Sequence, residues 1–74
     1  MTRLDTLFAY KRRLVVASEQ LEAFRDELLD DVRTARSLDD MGNCHLIREQ
    51  VIRAIDRVGI AVAFIDKKMK EAQQ

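Results

Sequence analysis

Between Val58 and Ile65 the chain runs V-G-I-A-V-A-F-I, eight residues without one polar side chain, in a sequence that is 35% charged. A helix that buries a single stripe places polar residues on its far side at the 3.6-residue period. Here the side away from the Val58/Val62/Ile65 stripe still carries Ile60 and Phe64. The run is too short to cross a bilayer, which takes about 20 apolar residues. It therefore needs more apolar neighbours than one other helix can offer.

The rest of the chain limits where those neighbours come from. Seventy-four residues lie near the lower bound for a self-supporting core. Cys44 is the only cysteine, so no disulfide can form within the chain. One free thiol also fits a reducing, cytoplasmic setting. Cys44 and His45 are adjacent and would point about 100° apart on a helix. No further Cys or His is present to complete a tetrahedral metal site. Neither a metal nor a cofactor is expected. Thirteen basic residues balance thirteen acidic ones, so no net field draws the chain to nucleic acid or anionic lipid. The N-terminus lacks a basic segment followed by an apolar one, so no signal peptide is expected.

With no proline, and glycine only at positions 42 and 59, helix can propagate almost end to end. The one concentration of turn-forming residues is S-L-D-D-M-G-N, Ser37 to Asn43. A single all-α unit over 1–74 follows: a helix over about 3–37, a turn at 38–43 and a helix over about 44–72, packed as an antiparallel hairpin. Thr2 and Asp5 can cap the first helix. Asn43, Asp39 or Asp40 can cap the second. Spacing of three and four gives the first helix a seam of Leu7, Tyr10, Leu14, Ala17, Leu21, Phe24, Leu28, Ala35 and Leu38, broken at Asp31. The second helix offers Cys44, Ile47, Val51, Ile55, Val58, Val62, Ile65, Met69 and Ala72. Gly59 in mid-helix costs about 1 kcal/mol relative to alanine. Close approach of another helix would account for it.

Phe8 and Val15 widen the stripe of the first helix beyond what a two-helix contact uses. Ile60 and Phe64, beside Arg53 and Arg57, give the second helix an apolar anchor with a basic rim, the pattern of a binding hot spot. These six are the candidate partner-binding residues. The bland reading makes Ile60 and Phe64 the core of a homodimer, and either case buries them in an assembly. Lys11, Arg12 and Arg13 are the one basic triplet, and Asp26, Glu27, Asp30 and Asp31 offset them on the same helix. That favours a solvated face over a phosphate-binding one. The carboxylate pairs Asp30/Asp31 and Asp39/Asp40 have no base or nucleophile held in a pocket, so no catalytic residue is assigned.

The start Met1, Thr2, Leu4, the leucine-spaced first helix, the polar turn and the apolar stretch Ile52 to Ile65 resemble the small co-chaperones of type III secretion systems. The resemblance implies a two-helix hairpin that pairs with a larger helical-repeat chaperone and keeps a needle subunit from polymerising in the cytoplasm. The residues themselves point to a non-catalytic interaction module, partnered by itself as a homodimer or by another helical protein. The alternative is a homodimeric four-helix regulator that binds RNA or DNA, which the charge balance disfavours.

Overall fold

In the computed structural model, which describes residues 3–73, the chain is an antiparallel hairpin of two long helices, α1 (Arg3–Thr34) and α2 (Leu38–Gln73). The rod measures 56 × 16 × 12 Å. Its two helices are the all-α hairpin that the absence of proline predicts.

The connection lies at 35–37, not at the expected 38–43, and residues 38–43 form the first turns of α2. The reason is a cap the sequence reading placed too late. The Ser37 hydroxyl accepts a hydrogen bond from the Asp40 N–H (3.1 Å), and the Ser37 carbonyl accepts one from the Met41 N–H (3.0 Å). Asp39 and Asp40 then sit in the first turn, where the exposed N–H groups favour negative charge. Ser, Asp and Asn favour turns and helix starts through the same short side-chain acceptors. Ser37 therefore caps α2, in place of Asn43, Asp39 or Asp40. α1 ends at Thr34, whose hydroxyl donates back to the Asp30 and Asp31 carbonyls (3.1 and 3.4 Å). Thr2, expected to cap α1, lies outside the described residues.

The helices meet along two regular seams. On α2, Met41, Cys44, Arg48, Val51, Ile55, Val58, Val62, Ile65 and Met69 turn inward. That is the expected seam, except that Ile47 and Ala72 are exposed and Arg48 takes the inward place beside Ile47. On α1 the column Leu7, Leu14, Leu21 and Leu28, continued by Ala35 in the connection, faces α2 as expected, but the column beside it does not. Leu4, Lys11, Ser18, Arg25 and Val32 accompany it, while Tyr10, Phe24 and Leu38 are exposed. Lys11 and Arg25 can occupy seam positions because their alkyl stems pack while their charged ends reach out. The Lys11 ammonium meets Asp66 across the hairpin at 2.7 Å, and Arg25 Nε donates to Asp26 at 3.2 Å. Arg48 manages this less well, because its Nε is buried without a hydrogen-bond partner.

Only Leu28 and Val51 are buried among the described residues, and neither is completely closed off from solvent. Gly59 is not explained by packing within the hairpin. A Cβ built there would meet nothing within 4 Å, and the same holds at Gly42.

Candidate interaction faces

Two helices side by side leave two broad faces, and the structure shows which columns belong to each. Residues seven apart fall in one column of a paired helix. Val15, Ser18, Glu19, Glu22, Val58, Gly59 and Val62 line one shallow depression of about 390 Å³. The Lys11–Asp66 pair also crosses the seam there. The first face therefore carries Phe8, Val15, Glu22 and Leu29 from α1, and Ile52, Gly59 and Asp66 from α2. A second open depression, about 330 Å³, lies between Phe8, Lys11, Arg12 and Val15. The outer columns of this face are charged throughout α1: Asp5, Arg12, Glu19, Asp26 and Arg33.

On the opposite flank of the seam lie the other two columns, Tyr10/Ala17/Phe24/Asp31 on α1 and Ile47/Ala54/Ala61/Lys68 on α2. Phe64 belongs to this second face, since five residues from Gly59 is about 140° round the helix. There the Lys68 ammonium lies 5.4 Å from the Phe64 ring centre and pairs with Glu71 at 3.3 Å. A cation over an exposed ring contributes about 0.5–1 kcal/mol. Tyr10 and Phe24 are 52% and 43% exposed, although the sequence reading placed both inside the hairpin.

The six candidate residues thus do not form one patch. Phe64 (60% exposed) and Arg57 edge the second face, Ile60 (64% exposed) and Arg53 point from the back of α2, and Phe8 and Val15 lie on the first face. Sequence reasoning missed Tyr10, Phe24 and Ile47 as surface residues because each continues a three-and-four spacing that also fits a seam. The signal that separates them is Asp31, which shares the column of Tyr10 and Phe24 and fits a contact with α2 poorly.

Neither depression is enclosed, and no group of three or more His, Cys, Asp or Glu among the described residues is placed to hold a metal ion. No described helix is long and apolar enough to cross a membrane. Comparison with protein-family models, curated proteins and solved structures gives no match.

Proposed function

We propose that the chain is a non-catalytic helical interaction module whose hairpin completes its core by association. The observation that carries this reading is the disproportion between apolar content and burial. Nearly half the residues are hydrophobic, yet just Leu28 and Val51 are buried among those described, and Tyr10, Phe24, Ile47, Ile60 and Phe64 each leave about half of their surface to water. Burying a side chain of that size contributes about 1.5–3 kcal/mol, a sizeable part of the stability of a small domain. A helical partner recovers it, whether another protein of the kind the secretion co-chaperone resemblance implies or a like chain.

The nucleic-acid alternative lacks support from charge. Lys11, which heads the basic triplet, is engaged with Asp66, and three acidic residues accompany two basic ones along the α1 rim of the first face. Retention on heparin at low salt separates the two readings, and the interaction module flows through. For association, light scattering on Phe64→Asp should show loss of assembly while Glu49→Asp retains it. Equal loss, or none in either, contradicts the reading.

A further inference from the structure

We infer that the second face, built on Tyr10, Ala17 and Phe24 of α1 and Ile47, Ala54 and Ala61 of α2, is covered by another copy of this chain, so that two hairpins pack face to face as a four-helix bundle. The inference deepens the association reading and rests on it. Area is the first support. The chain exposes 5913 Å², whereas a compact monomer of its 8.6 kDa mass exposes about 4,700 Å². The surplus of about 1,200 Å², spread over the whole rod, leaves room for the roughly 800 Å² per partner that a stable interface buries.

Charge is the second support. The outer columns flanking this face are Arg13, Gln20 and Glu27 on α1, and Gln50, Arg57, Phe64 and Glu71 on α2. Each edge carries one base and one acid, and the whole chain has zero net charge. A surface that meets its own copy must tolerate its own charges, and a balanced rim does so. A strongly acidic or basic partner would find no complement here.

Relief is the third. Ala17, Ala54 and Ala61 form low ground, while Tyr10, Phe24 and Ile47 stand above it in the same columns. Large side chains of one hairpin then have small ones of the other to pack over, as interdigitating helices require. A two-fold pair of identical patches is also the commonest closed assembly.

The test is sedimentation equilibrium of the full chain, read together with acrylamide quenching of Tyr10, the only tyrosine in a chain without tryptophan. The expected result is a mass twice that of the chain, with Tyr10 shielded in concentrated samples and open in dilute ones. Phe24→Glu should weaken the dimer about 100-fold, as loss of a central anchor does, while Phe8→Glu changes it less than about threefold. Should Phe24→Glu lose its helical circular dichroism, the shielding of Tyr10 in the unaltered chain decides. A dimer in which Tyr10 stays fully open, or one lost with Phe8→Glu and kept with Phe24→Glu, overturns the inference. A monomer at all concentrations also overturns it, and its behaviour separates the two levels. If that monomer binds anilinonaphthalene sulfonate strongly, a different partner covers the face and the association reading stands. If it binds no dye and melts sharply, both fail.

Discussion

The two broad faces of this hairpin are made from the same two helices and differ in what surrounds their apolar residues. On the first, Phe8, Val15, Leu29 and Ile52 are interrupted by Glu22, spanned by the Lys11–Asp66 pair and bordered by a charged column on α1. On the second, Tyr10, Ala17, Phe24, Ile47, Ala54 and Ala61 run with polar residues only at Asp31 and Lys68, toward opposite ends of the hairpin. The first face is broken by charge along its length and the second carries charge only near its ends. The lesson is that exposure of single residues does not tell the two faces apart, because Phe8 and Phe64 are equally exposed. The company each residue keeps in its column does.

The largest effect tests the seam that both faces share. Leu28→Ala should cost about 3 kcal/mol in urea denaturation, since it removes one of the two buried side chains among the described residues. A loss under about 1 kcal/mol would mean that the hairpin contact is not what holds the helices. Next comes the contrast between faces. In concentrated samples Phe24→Ala should destabilise by about 2 kcal/mol more than Phe8→Ala, and equal losses would erase the distinction. A gain is expected at Gly59, on the first face, where a methyl group has free space. Gly59→Ala should stabilise by about 0.5–1 kcal/mol and leave association unchanged. Weaker association in that variant would mean that Gly59 lies in an interface and that the faces have been exchanged. The smallest effect is at the cross-helix ion pair, whose two side chains are more than a third exposed. Asp66→Asn should cost less than about 1 kcal/mol, and less again at high salt.

Much of the hairpin could be read from the chain itself, for reasons that particular residues make clear. The lack of proline and the leucine column at 7, 14, 21 and 28 fix two antiparallel helices whichever neighbouring column turns inward. The choice of neighbour was the harder problem. Tyr10, Ala17 and Phe24 look more like a core than Lys11, Ser18 and Arg25, and a rule that buries the most apolar column selects them. The structure pairs the more polar column with α2, where long alkyl stems suffice, and leaves the richer one outside. The turn was displaced for a related reason. Ser37, Asp39 and Asp40 suit a loop and a helix start alike, and only the Ser37 hydroxyl bond to the Asp40 N–H tells them apart. The candidate binding residues were legible as exposed apolar groups but not as one surface, since which columns share a face depends on which of them meet.

The central claim, that this hairpin holds its fold by packing against another body, is tested most directly by thermal unfolding of the purified chain followed by circular dichroism at about 2 and about 200 μM. Self-association predicts a melting temperature that rises with concentration across that range, because dilution pulls the equilibrium toward separated chains that unfold more readily. A sharp transition at one temperature, unmoved by dilution and accompanied by no dye binding, would show a monomer that is complete by itself and would contradict the account.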